Sequence, residues 1–221
     1  LALTLALSLA APAWAATPEE AQDSAQLLYN LGLFQGSGTN EDGSPRFALE
    51  RAPTRAEAVT ILVRLLGAEE AAQAQTWTTP FTDVPDWCRP YVAYAYAQGY
   101  TKGMDEKGGI FGTNDTLTAG QYVTFLLRAL GYRDSGEAPD FTWDTALERA
   151  VELGVLTPGE EAMLTSETFL RAQVVYLSYF ALDAPCQDGS GTLLERLVSG
   201  GVLDGAVASV VRSGVEVSRL P

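Results

Sequence analysis

The chain is predicted to be all-α, with three helix-loop-helix units in tandem and a short helical extension on the C-terminal side. Three recurrences predict this. Thr54 with Glu57, and Thr118 with Gln121, are capping boxes: the threonine hydroxyl takes a free amide at N3 and the N3 side chain reaches back to the N-cap amide. Glycine follows each cap after 13 positions, at Gly67 and Gly131. A large apolar residue stands eight positions before each second helix: Phe47 before Arg55, Phe111 before Ala119, Met163 before Arg171. Self-similarity at about 50 to 65 residues predicts an array whose units share one core, because a single helix pair is too thin to bury its apolar face alone.

Residues 1–15 stand apart. Leu1–Ala11 is apolar and Ala13-Trp14-Ala15 fits an A-x-A cleavage pattern, so a partial secretory signal, removed on export, is expected there; a buried N-terminal helix is the alternative. The run is too short to span a bilayer, and no later stretch is apolar for long enough. Unit one covers residues 16–75. Thr17-Pro18-Glu19-Glu20 is a capping box with proline at N1, opening a first helix, Ala21–Leu31, that Gly32 stops. Ser37–Pro45 is a polar loop. Its Asn40-Glu41-Asp42-Gly43 lacks the alternating oxygen ligands and closing glutamate of a calcium loop, so a plain turn is expected and no metal. The second helix, Ala58–Leu66, carries Ile61, Leu62, Leu65 and Leu66 as one apolar stripe.

Unit two covers residues 76–135. Phe81-Thr82-Asp83-Val84-Pro85-Asp86-Trp87 leads into a first helix, Pro90–Gln98, with Gly99 as its stop. Tyr100-Thr101-Lys102-Gly103 matches Leu33–Gly36, and the second helix is Tyr122–Leu130. Unit three, residues 136–186, is degenerate: Phe141-Thr142-Trp143 precedes Ala146–Leu153, Gly154 closes it, and Val174–Leu182 keeps the apolar helix without a threonine cap or closing glycine. The loops between stop glycine and second helix shorten along the chain, as loop-length changes are tolerated. In residues 187–221, Thr192–Leu203 repeats the pattern of Thr145–Leu156 at an offset of 47. A short helix over Asp204–Val211 and an extended packed segment, Ser213–Pro221, are expected after it.

Composition excludes several chemistries. The formal charge is −14, which repels nucleic acid and anionic membrane. Histidine is absent, which removes Ser-His-Asp and Cys-His nucleophile systems and imidazole-bound zinc. The recognisable acids sit in caps, turns and exposed helix faces, with no aromatic-flanked pair suited to glycoside hydrolysis, so no enzymatic activity and no cofactor are expected. Cys88 and Cys186 either form one bridge, as exported proteins permit, or are two buried free thiols.

Thr54-Arg55-Ala56-Glu57, the Phe81-x-Asp83-Val84 and Trp87 set, and the Gly99, Gly103, Phe111 spacing together resemble the S-layer homology family across about residues 17–183. The resemblance implies three repeats around a pseudo-threefold axis and a secreted protein held at the cell wall or cell surface. It also implies non-covalent binding of a secondary cell wall polysaccharide, often pyruvylated, in grooves between neighbouring repeats. There the motif arginine pairs with the anionic sugar substituent, and the aspartate and tryptophan hold hydroxyls and a sugar face; guanidinium forks suit carboxylates on physical grounds alone. Arg55 and Arg171 match the motif arginine, whereas unit two has Ala119. Asp83 and Trp87 match the other pair, with Lys102 and Gly103 as further candidate contacts. The expected complete groove is Arg55 with Asp83 and Trp87. Set against this, Glu57 and Gln121 are first of all caps, Arg55 is a groove or a surface arginine, and Trp87 and Trp143 are sugar platforms or core. Asp83 caps a turn or binds, and of the tyrosines, Tyr91 and Tyr94 are expected inside and Tyr96 exposed. An array that has lost glycan binding and serves surface assembly or protein interaction is the alternative function.

Overall fold

The computed structural model describes residues 17–74 and 77–221; the expected signal segment, residues 1–15, lies outside them. Its helices are α1 (Pro18–Asn30), α2 (Arg55–Leu65), α3 (Glu69–Ala74), α4 (Arg89–Ala97), α5 (Ala119–Ala129), α6 (Ala146–Glu152), α7 (Pro158–Ser166), α8 (Arg171–Ala181), α9 (Leu193–Ser199) and α10 (Gly205–Ser213). One two-stranded ribbon, β1 (Gly38–Thr39) with β2 (Pro45–Arg46), is the only named sheet among the described residues. The all-α expectation is borne out.

Helices start where the sequence supplies a cap. Thr17, Thr54 and Thr118 each accept from the N3 amide, and Glu20, Glu57 and Gln121 each accept from the N-cap amide. At α8 half of this device survives: Leu170 offers no hydroxyl, but its amide donates to Gln173 Oε1 at 2.9 Å. α2 ends at Gly67 (φ 63°), where any side chain would also collide, since a Cβ there would lie 2.1 Å from Val202 Cγ1.

Packing between units is cyclic. The second helix of each unit lies on the first helix of the next: α2 on α4, α5 on α6, and α8 back on α1. The three second helices also meet one another, α2 touching both α5 and α8, and the Tyr122 hydroxyl of α5 lies 2.6 Å from Ser178 Oγ of α8. Their position explains a difference from expectation. The single stripe on α2 is instead burial nearly all round, with Ala56, Ala58, Val59, Ile61, Leu62, Val63 and Leu65 all inside; a helix with helices on most of its sides keeps only a narrow strip, Glu57 and Arg64, partly open. Each fully buried leucine or valine contributes about 1.5–3 kcal/mol.

Two further helices depart from the loops expected. α3 follows Gly67 in a run of Glu, Ala and Gln, all strong helix formers. α7 replaces the third loop, and Thr157-Pro158-Gly159-Glu160 is a capping box with proline at N1, the same signal as at Thr17. Cys88 and Cys186 are both buried and free, so no bridge links unit two to the C-terminal segment. Cys88 sits at the α4 N-cap with Sγ 3.5 Å from Pro85 O, and burial pushes its thiol up to about 11.

The extension over 187–213 covers the shared end of the three second helices. The Gln187 amide donates to Leu130 O at 2.9 Å and Arg196 Nη2 to Ala129 O at 2.8 Å, satisfying carbonyls left open at the end of α5. The Leu194 amide does the same for Leu182 O at 2.8 Å. Arg212 of α10 forks onto Asp183, at 2.9 and 2.5 Å. No described helix is long and apolar enough to cross a membrane.

Candidate functional site

Cyclic packing leaves a seam wherever the start of one second helix meets the loop of the following unit. Backbone bonds set two of these seams. The Arg55 amide donates to Asp115 O at 2.9 Å and the Ala56 amide to Thr113 O at 3.3 Å; equivalently, the Arg171 amide donates to Arg51 O at 2.9 Å and the Ala172 amide to Leu49 O at 3.0 Å. The first free amides of α2 and α8 are thus satisfied by the neighbouring unit, and the side chain at N1 is held inside the junction. Arg55 is 5% exposed and Arg171 3%.

The first groove, about 520 Å³, is entered by Arg171 and lined by Gln35, Gly36, Arg46, Arg51, Glu57, Thr60, Arg64 and Trp87. Arg171 Nε donates to Phe47 O at 3.1 Å and its guanidinium lies 5.9 Å from the Phe34 ring centroid. Its nearest carboxylate, Glu57, is 3.9 Å away and already engaged by Arg51 at 2.8 and 2.5 Å and by the Thr54 amide. Burial pushes the Glu57 carboxyl up, but Arg51, the Thr54 amide and Arg171 outweigh that and hold it below its usual range. Arg64 is stacked 5.3 Å from Tyr91 and paired with Glu69.

The second groove, about 820 Å³, is its counterpart one unit along. Arg55 enters it, and Lys102, Gly103, Met104, Gln121, Thr124, Phe125, Arg128, Trp143 and Asp144 line it. The Arg55 guanidinium packs 5.6 Å from the Phe125 centroid and 5.9 Å from that of Phe111, with Nη2 2.7 Å from Met104 Sδ. It has no carboxylate partner within ion-pair distance among the described residues, and its Nε is buried without a hydrogen bond. Burial depresses its basicity; Asp115 opposes this from a distance and Arg128 adds to it. Arg128 pairs with Asp134, yet its Nε is also buried and unbonded. Lys102 reaches the same Asp134 at 3.0 Å. Gly103 (φ 71°) lets the loop press on Phe81, whose ring would lie 2.4 Å from any Cβ there.

The expected pairing of Arg55 with Asp83 and Trp87 is corrected by this geometry. Trp87 stands in the groove that Arg171 enters, and the aromatic facing Arg55 is Trp143. Both follow from the second helix packing against the next unit. Asp83 lines neither groove: its carboxylate accepts from the amides of Phe111, Gly112 and Thr113 at 2.7, 2.8 and 3.2 Å, pinning the loop before α5 rather than the turn into α4. Trp87 and Trp143 are 56% and 78% exposed, so neither is core. Tyr91 is buried, Tyr94 half-buried, and Tyr96, expected outside, packs edge-on to Phe81 at 5.3 Å. Arg64 and Arg128 join the grooves beyond the residues expected from sequence; the signal for them is their shared spacing, ten positions after each capping threonine.

At the third junction the pattern breaks. Unit two offers Ala119 where the others have arginine, and no backbone bond ties Ala119 or Gly120 to the residues before α8 among the described residues. Residues 217–221 lie there instead, against Val155–Glu160, Tyr176 and Phe180.

Comparison with known proteins gives a consistent setting. The chain is 32% identical over 178 residues to the "Middle cell wall protein" of Brevibacillus brevis, covering 73% of this chain and 16% of that protein. It is 30% identical over 182 residues to the "Cell surface protein" of Thermoanaerobacter kivui, covering 78% and 22%. It is 32% identical over 170 residues to the "Surface layer protein" of Brevibacillus choshinensis, covering 72% and 15%. The chain therefore spans less than a quarter of the length of these relatives. No family model matches it. The expected location at the cell surface is borne out by these relatives.

Proposed function

We propose that this chain is an S-layer homology type module that holds a surface protein to an anionic secondary cell wall polysaccharide, non-covalently, through the two open grooves. One observation carries the reading: the buried Arg55 guanidinium, without a carboxylate partner among the described residues and with Nε unbonded, at the edge of a groove faced by an exposed tryptophan. A buried cation is costly unless something neutralises it, and an acidic sugar substituent supplies the missing acceptor by a forked pair. Trp143 offers a flat apolar face for a sugar ring, and Thr124 and Gln121 offer hydroxyl and amide groups beside it. In the first groove Arg171, Arg64 and Trp87 repeat the constellation, but Arg51 and Glu57 neutralise each other within it. Lys102 and Arg128 are likewise held by Asp134. Arg55, however, has no carboxylate partner among the described residues while Arg171 lies 3.9 Å from Glu57, so the second groove is the stronger anion site. Binding without catalysis suits both: Glu57 is held as a helix cap and ion-pair partner of Arg51, and Asp144 accepts from the Thr142 hydroxyl in a turn.

The test is retention of the purified chain on wall sacculi as salt is raised, and on sacculi stripped of acidic substituents. Retention that falls with salt and vanishes on stripped sacculi supports the reading; retention indifferent to both removes it. A protein-interaction role is favoured by Ala119 and by the third junction, where chain rather than open space fills the seam.

A further inference from the structure

The third junction occupies the place of a groove, and its chemistry is inverted. The positions of Thr60 and Arg64 in α2, and of Thr124 and Arg128 in α5, are taken in α8 by Tyr176 and Phe180. The wall thus loses its cation and gains two rings, packed 4.8 Å apart. Below them Glu160 is fully buried, at 0% exposure. Where the open grooves bury arginine, this one buries a carboxylate, which requires a cation as partner.

That cation comes from the chain itself. Arg219 forks onto Glu160, Nε to Oε1 and Nη2 to Oε2, both at 2.9 Å, while Nη2 also donates to Val155 O at 2.9 Å. Its guanidinium lies 5.3 Å from the Phe180 centroid. The backbone of the segment is held on both sides: the Leu220 amide donates to the Tyr176 hydroxyl at 2.8 Å, Thr157 Oγ1 donates to Leu220 O at 2.8 Å, and the Gly159 amide donates to Pro221 O at 2.6 Å. Gly159 permits this approach, since a Cβ there would stand 2.4 Å from Pro221 O. Fork, ring face and three backbone bonds, at the Leu220 amide, Leu220 O and Pro221 O, together form a peptide-recognition geometry, specific for arginine by shape as well as charge.

We propose that the third junction is a peptide groove that recognises the arginine of an extended Arg-Leu-Pro segment, and that residues 217–221 of this chain are its resident ligand. The groove is thereby closed to an acidic sugar and open only to a segment that displaces the resident one. None of its residues lines either open groove, so its test is independent of wall binding.

The probe is a fluorescein-labelled, amidated Val-Ser-Arg-Leu-Pro peptide, added to the whole chain and followed by anisotropy, alongside amide exchange at Gly159 and Leu220. Wild type is expected to ignore the peptide and to protect both amides. Arg219→Ala, with its own segment loosened, is expected to bind the peptide and to exchange both amides at least tenfold faster. Adding Glu160→Gln, which keeps an oxygen for the Thr157 amide, is expected to weaken peptide binding at least tenfold. If Arg219→Ala does not fold, Arg219→Lys carries the same test, since lysine keeps the charge but loses the fork. Unchanged exchange in the Arg219 variant, no peptide binding by it, or equal binding with Gln at 160 would each overturn the proposal.

Discussion

Asp83 Oδ1 accepts from the Phe111 amide at 2.7 Å across 28 residues, and Oδ2 takes the Gly112 and Thr113 amides as well. One carboxylate therefore joins the entry of α4 to the entry of α5, and Thr113 O in turn receives the Ala56 amide of α2. Asp83→Ala is expected to lower stability by about 2–3 kcal/mol, because three partly buried amides lose a charged acceptor, measured by urea denaturation.

The same carboxylate gives a pH dependence. Burial alone pushes Asp83 up, but the three amides outweigh it and hold the carboxyl below its ordinary value of 3.8. A depressed folded value stabilises the protein above the unfolded one, and the gain disappears as pH falls through the folded value. The stability gap between wild type and Asp83→Asn is therefore expected to be flat above about pH 5 and to close below 3.8. A gap that widens on acidification contradicts this.

Tyr122 and Ser178 predict an asymmetry. Ser178 Oγ donates to Val174 O at 2.6 Å, so the Tyr122 hydroxyl is the donor in the bond between them. Tyr122→Phe removes a donor and leaves only a spare lone pair on the serine, costing about 0.5–1.5 kcal/mol. Ser178→Ala leaves a fully buried phenol hydroxyl without an acceptor, costing about 1–3 kcal/mol. Thermal melts of the two variants check the order.

Both cysteines are buried and free. Thiol reagent at pH 8 is expected to find none in the native chain and both after denaturation, and reductant is expected to leave the melting temperature unchanged. A reductant-sensitive melt contradicts the fold at Cys88 or Cys186.

How much of this was legible in the sequence depends on range. Helix starts were, because a capping box is a local device: Thr17, Thr54 and Thr118 hold their partners three residues away. α7 carries the same device at Thr157 and Glu160, but it has no helical counterpart between α1 and α2 or between α4 and α5, so the repeat pattern points to a loop there. Groove membership was not legible. Which tryptophan faces which arginine follows from α2 packing on α4 and α8 returning to α1, and spacing along the chain does not encode that return. Asp83 was singled out by its motif, but its partners lie about thirty residues on, beyond any local pattern.

The most direct measurement is sacculus binding by wild type, Arg55→Ala, Arg171→Ala and the double variant, each first shown by circular dichroism to be folded. Two open grooves, the second the stronger, predict that Arg55→Ala weakens binding more than Arg171→Ala and that the double variant loses it, a change of at least tenfold. Equal binding by all four proteins would contradict the grooves as the seat of wall attachment.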